Sequence, residues 1–209
     1  MQLYFSPGSA SFVVHWLLIE TKAPHELIPV DLQARAHKTE EYLKLNPNGV
    51  VPTLIIEGKA VYESPALVMH LADLFPEAGL APAVGTLERA QYYQWMFNLV
   101  NPLQAAMRQW WYPNEAAGEA NSEAAQAAVR ARVEACWDRL DAHLAANGPY
   151  LLGEKVSAAD FMLTMLMRWT RNMPKPATDW PHLNALALKM KARPSFKTLY
   201  EREGLTEWA

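Results

Sequence analysis

Asn46-Pro47-Asn48-Gly49-Val50-Val51-Pro52-Thr53-Leu54, followed shortly by Tyr62-Glu63-Ser64-Pro65, decides how this chain is read. Asn-Pro and Asn-Gly are turn dipeptides, so residues 46–49 should end a helix and turn the backbone into a strand. Pro52 stands where that strand begins, and proline is confined to strand edges, first residues and bulges. The main-chain N–H and C=O of Val51 are therefore left without sheet partners, open to an extended ligand that adds itself as a strand. A cis Val51–Pro52 bond would turn those groups outward at a tight turn; the sequence leaves the isomer open. Ser64-Pro65 reads as an N-cap followed by proline at the first helical position. The unpaired N–H groups of such a helix start, with the Ser64 hydroxyl, suit a carboxylate.

Working outward, short apolar strands alternate with helices through residue 77: strands at 2–5, 26–30, 53–57 and 59–62, helices at 11–21, 40–45 and 64–75. That alternation predicts an α/β domain. Proline and glycine between Phe75 and Pro82 mark a linker, placed at residues 78–86, and everything from 87 to 209 reads as helical. Thr86 is placed to cap a helix running to Trp110, a second helix covers 124–146, and Ser157-Ala158-Ala159-Asp160 is a near capping box. The last helices are predicted at 181–192 and 194–203.

Composition excludes more than it selects. The chain has 209 residues, 51% of them hydrophobic, and a net charge of −3, enough to build a buried core. No basic block or metal-ligand spacing is present, and nine glycines include no phosphate-cradling loop, so neither nucleic acid nor metal is an expected partner. The apolar stretches are too short to span a bilayer, and the N-terminus lacks a signal-peptide pattern, so the expected location is cytoplasmic.

The pattern N-P-x-G-x-V-P-x-L with a later Glu-Ser pair resembles the glutathione-binding half of the cytosolic glutathione transferases, and the similarity extends over the whole chain. Residues 3–11 with His15 resemble the bacterial beta class, and Ala159-Asp160-Phe161 with Arg168-Trp169 continue the likeness. The resemblance implies a thioredoxin-like N-terminal domain, an all-α C-terminal domain, glutathione as co-substrate without a metal, a detoxifying transferase activity and a homodimer. It implies that Val51, before Pro52, holds the cysteinyl backbone of glutathione, that Glu63 and Ser64 hold its γ-glutamyl end, and that Lys38 with His37 meets the glycine carboxylate; Arg35 falls near the corresponding beta-class lysine.

One departure matters: the position matching the beta-class cysteine is Ala10. The only cysteine, Cys136, lies on an apolar stripe with Val129, Val133, Trp137, Leu140 and Leu144, spaced by three and four as in a buried helix face. Thiol activation then falls to Ser9, which matches a phi-class serine when Pro7 is aligned, or to Ser11, one of which is also expected to cap the first helix. A cysteine-like thiol has a pKa of about 8.5, and lowering it by about two units takes about 2.7 kcal/mol of thiolate stabilisation. A hydroxyl donor plus a helix N-terminus is of that order. Phe12, Trp110, Tyr112 and Trp169 are the expected lining of an apolar pocket for a small hydrophobic electrophile, with Arg108 nearby. His15 is expected to be a buried structural histidine, and Tyr4 a strand residue. The alternatives on the same fold are another glutathione-dependent reaction (peroxide reduction, dehalogenation, isomerisation) or a non-catalytic binding module.

Overall fold

In the computed structural model, which describes residues 1–208, four short strands form one mixed sheet in the order β2-β1-β3-β4. They are β1 (Gln2–Phe5), β2 (Glu26–Pro29), β3 (Thr53–Ile56) and β4 (Lys59–Tyr62). β1 pairs parallel with β2 and antiparallel with β3, and β3 pairs antiparallel with β4. The parallel pair needs a crossover, supplied by α1 (Phe12–Glu20), whereas β3 and β4 meet through a two-residue hairpin. Glu57 and Gly58 both have positive φ there (50° and 76°), as the twist-matched hairpin turn requires.

Side chains alternate along a strand, and β1 shows the result. Leu3 and Phe5 are buried on the side of α1, where Phe5 meets the His15 ring, while Tyr4 packs edge-on against Tyr42 of α2 (Glu40–Leu45). α3 (Ser64–Leu74) lies beside α1 and buries Leu67, Val68 and Leu71. This βαβ unit followed by a β-hairpin and a helix is a thioredoxin-like fold.

Beyond α3 the chain is helical: α4 (Leu87–Asn98), α5 (Ala105–Trp111), α6 (Pro113–Ala117), α7 (Ser122–Asn147), α8 (Ala158–Trp169), α9 (Pro181–Lys191) and α10 (Pro194–Glu203). Thr86 caps α4 by accepting the Arg89 N–H, as its position implied. The helix expected to run unbroken from there carries Pro102, which lacks an N–H; residues Leu99–Gln104 take a wider π-helical turn and α5 continues from it. The capping box of α8 is present, with Ser157 N–H donating to Asp160 at 2.7 Å. Cys136 is buried on α7 with the five apolar residues predicted beside it.

The chain divides into two compact units, residues 1–81 with those from 190 onward, and residues 82–189. α10 belongs with the first unit because it packs on α1: Trp16 Nε1 donates to Ser195 Oγ at 2.8 Å, and the Glu20 carboxylate binds Arg193 and Ser195.

Candidate functional site

Three of the segments that carry predicted ligand contacts meet at one end of the sheet of the first unit. Thr53 pairs with both Tyr4 and Tyr62, so the residues just before β3, just after β1 and just after β4 are brought side by side. Those residues are Val51-Pro52, the Ser6–Ser11 turn, and Glu63-Ser64.

Val51 sits outside the ladder before a cis Val51–Pro52 bond. Its side chain packs into a small cluster with Val30 and Tyr42, and its main-chain N–H and C=O make no hydrogen bond among the described residues. Glu63 is exposed and adopts φ 76°, a conformation rare for a residue with a Cβ and one that concentrates at functional sites. That turn makes Glu63 the N-cap residue and Ser64 the first residue of the helix, so α3 starts one residue earlier than a Ser64 cap implied. Ser64 therefore does not cap α3. It is buried, and its hydroxyl donates to the Ala10 carbonyl at 2.9 Å, which ties the start of α3 to the start of α1.

The turn before α1 is held by hydroxyls. Ser9 Oγ lies 2.7 Å from the Ser6 carbonyl and 2.9 Å from Ser11 Oγ, and accepts the Ser11 N–H at 3.2 Å. Ser11 Oγ accepts the Ser6 N–H at 3.1 Å and reaches the same carbonyl at 3.1 Å. Neither hydroxyl caps the helix from the N-cap position, as one of them was expected to. Ser11 is fully buried, which removes it as a group able to meet a ligand thiol, whereas Ser9 is half-buried. The proton balance favours Ser9: if it turned its O–H outward, Ser11 would still donate to Ser9 Oγ or to the Ser6 carbonyl. The N–H of Ala10 also makes no hydrogen bond among the described residues.

Lys38 and His37 form a short 3₁₀ turn folded over the 46–49 turn, and Lys38 Nζ lies 3.5 Å from the Asn48 carbonyl. Gly49 is required there: its φ is 57°, and a Cβ would come within 3.0 Å of the His37 carbonyl and 2.9 Å of Lys38 Nζ. Burial, then the charges of Lys38 and Arg35, hold the His37 imidazole below its ordinary pKa, so at neutral pH the cation of this pair is Lys38.

Two partnerships in this unit were not anticipated. Fully buried Nδ1 of His15 lies 2.8 Å from Glu203 Oε1, and Glu203 Oε2 accepts the Gly8 N–H at 2.8 Å, so α10 holds the Ser6–Ser11 turn from behind. His15 is thus the structural histidine expected, although only one ring nitrogen is bonded. Tyr42 Oη and Asn46 Nδ2 both donate to the Val50 carbonyl at 2.8 Å.

The residues assigned to an apolar pocket are placed differently from one another. Phe12 is fully buried among Trp16, Phe196 and Tyr200, a core position rather than the pocket position expected. In the second unit Trp110 is half-buried edge-on to Trp111, Tyr112 is exposed under the Arg108 guanidinium, and Trp169 is half-buried at the end of α8. Among the described residues no group of three His, Cys, Asp or Glu side chains could hold a metal ion, and no helix is long and apolar enough to cross a membrane.

Residues 1–73 match the family model described as "Glutathione S-transferase, N-terminal domain", and residues 123–201 match its C-terminal counterpart. Glutathione S-transferase GST-4.5 of Xanthomonas campestris pv. campestris is 28% identical over 98% of this chain and 100% of its own length. A sphingomonad glutathione S-transferase complexed with glutathione superposes with a TM-score of 0.86 at 33% identity, covering 99% of this chain and 100% of that one. BphK, a bacterial transferase solved as a ternary complex, gives 0.87 at 32% identity over 98% and 100%. With the site geometry and both halves of the chain agreeing, the protein belongs to the glutathione S-transferase family.

Proposed function

We propose that the chain is a glutathione transferase whose first unit binds glutathione extended along the end of the sheet and lowers the pKa of its thiol for attack on a small hydrophobic electrophile. The observation that carries this reading is the junction of two helix N-termini through the Ser64–Ala10 hydrogen bond, next to a residue with unpaired main-chain groups, Val51. Helix N-termini attract anions, and glutathione brings a carboxylate at its γ-glutamyl end and a developing thiolate at its centre. The first-turn N–H groups of α3, with Glu63 and Ser64, receive the γ-glutamyl carboxylate and ammonium; Val51, before Pro52, pairs with the cysteinyl main chain; Lys38, with His37 beside it, meets the glycine carboxylate. Ser9 donates its hydroxyl to the thiolate, backed by Ser11 and the Ala10 N–H. The thiol proton leaves to solvent, the sulfur lone pair forms the new bond, and the electrophile's leaving group or conjugated π electrons take up the charge.

Trp110, Tyr112 and Trp169 are the candidates for apolar contacts with the electrophile. The exposed apolar side chains of Leu87, Tyr93 and Phe97 on α4 support a homodimer, in which their burial would remove apolar surface from water. A chemistry running through a protein mixed disulfide is disfavoured on residue grounds: Ala10 replaces the cysteine of the turn, and Cys136 is buried on α7 with its thiol pKa pushed up by burial. Calorimetric titration with glutathione, followed by turnover assays across haloaromatic, epoxide, enone and peroxide substrates, tests the proposal. Saturable binding with conjugation is the expected result, binding without any turnover would identify a binding module, and absence of binding would overturn the reading.

A further inference from the structure

The peptide group joining Val50 to Val51 is braced by two side chains of the segment that precedes it. Its carbonyl oxygen accepts two hydrogen bonds from side chains, Tyr42 Oη and Asn46 Nδ2, each at 2.8 Å. Both donors are buried, and both lone pairs of that oxygen are thereby used. A peptide group is planar and trans, so its C=O and N–H point in opposite directions within one rigid unit. Fixing the Val50 carbonyl toward α2 therefore fixes the Val51 N–H away from it.

The brace continues behind the tyrosine. The Tyr42 phenol spends its one proton on Val50 and so accepts from Thr53 Oγ1, 3.0 Å away in the first residue of β3. Burial holds the phenol above its ordinary pKa, so it keeps that proton at any working pH. Asn46 is equally committed: its Oδ1 accepts the Asn48 N–H at 3.1 Å while its amide nitrogen serves Val50. The Tyr42 ring packs on Tyr4 and Val51, so the hydroxyl arrives at the carbonyl on a rigid support. A hydroxyl that merely needed satisfying in the core had Thr53 within reach; bonding Val50 as well aligns one particular peptide group.

We propose that Tyr42 and Asn46 are positioning residues which, through the Val50 carbonyl, aim the Val51 N–H at the main-chain carbonyl of an extended thiol peptide. The inference rests on the reading that glutathione pairs with Val51. Hydrogen bonds arranged in series polarise one another, so the Thr53–Tyr42–Val50 chain also strengthens the Val51 N–H as a donor. Neither residue touches the ligand; their effect is on the affinity of the site and not on the sulfur chemistry.

Tyr42→Phe deletes the hydroxyl and keeps the ring, and is read by calorimetric titration with glutathione together with steady-state kinetics and a thermal melt. The proposal expects roughly a threefold to tenfold rise in the Kd and KM for glutathione, the range for one hydrogen bond, with the loss falling on KM rather than kcat. Should that variant fail to fold, Thr53→Val carries the same test through the polarising hydroxyl, with an expected loss of about twofold. A lowered melting temperature with wild-type affinity would show a merely structural hydroxyl and overturn the brace alone. Failure of the wild-type chain to bind glutathione is a separate result, which overturns the glutathione reading and this inference with it.

Discussion

The hydroxyl of Ser64 donates to the carbonyl of Ala10 at 2.9 Å, joining two residues 54 positions apart and with them the first turns of α3 and α1. A serine at a helix start ordinarily caps its own helix; here Glu63 takes the cap position in a strained conformation, and the serine is freed to make a tertiary bond. Because a hydroxyl has a single proton, a γ-glutamyl carboxylate bound here, as proposed, would be met by the main-chain N–H groups of α3 or would draw the hydroxyl away from Ala10.

Ser64→Ala removes that bond and leaves the Ala10 carbonyl short of a donor, costing about 1 kcal/mol of stability. Glutathione affinity is expected to fall roughly tenfold if the hydroxyl turns to the carboxylate on binding. Calorimetry and a thermal melt on the same preparation separate the two effects: wild-type affinity with reduced stability would assign the carboxylate to the N–H groups alone.

Much of this site was legible because it is written locally. The turn at Asn46–Gly49, the unpaired Val51 before Pro52 and the Glu63-Ser64 helix start are short-range signals, and the strands at their flanks converge because Thr53 pairs with Tyr4 and Tyr62. What escaped notice depends on contacts remote in sequence. Glu203 meets His15 across 188 positions, and no periodicity on α10 marks it as the residue that holds the Gly8 N–H. Ser9 and Ser11 could not be ranked by spacing, since only the burial of Ser11 separates them. Phe12 shows the same limit: an aromatic at a helix start fits a pocket or a core equally well until its neighbours Phe196 and Tyr200 arrive from α10.

Glu203→Ala should be among the most damaging substitutions in the first unit. The variant strands the His15 ring in an environment closed to water and removes the carboxylate that accepts the Gly8 N–H, a loss of about 3 kcal/mol. Denaturant unfolding measures it, and a loss below about 1 kcal/mol would mean that the two groups find other partners or water.

Asp160 gives the second unit a pH signature. Burial pushes its carboxyl up to about 6 against the opposing pull of the Leu151 and Ser157 donors, while the unfolded chain titrates at about 3.9. Between those values the native state binds the extra proton, so this group's contribution to stability is full below pH 4 and is lost as the pH rises through 6. Asp160→Asn should flatten the stability profile across that window. An identical slope in wild type and variant would contradict the assignment.

The exposed apolar side chains of α4 bear on the oligomeric state. Sedimentation of the wild type at micromolar concentration should give about twice the 23.5 kDa chain mass, and Phe97→Glu, at an exposed apolar position of α4, should shift the equilibrium toward monomer without lowering helix content. A wild-type monomer would remove the dimer from this account.

The most direct measurement is the pH titration of the thiolate absorbance of glutathione bound to the wild type, to Ser9→Ala and to Ser11→Ala. The account predicts that the thiol titrates well below its free value of about 8.5 in the wild type, and that Ser9→Ala raises the bound pKa by roughly one to two units with little change in affinity, the effect of one charge-assisted hydrogen bond. Ser11→Ala, altering a buried hydroxyl that bonds Ser9 and the Ser6 main chain, should raise it less. A bound thiol that titrates at its ordinary value in the wild-type protein would contradict the claim that the junction of α1 and α3 is a site for activating glutathione.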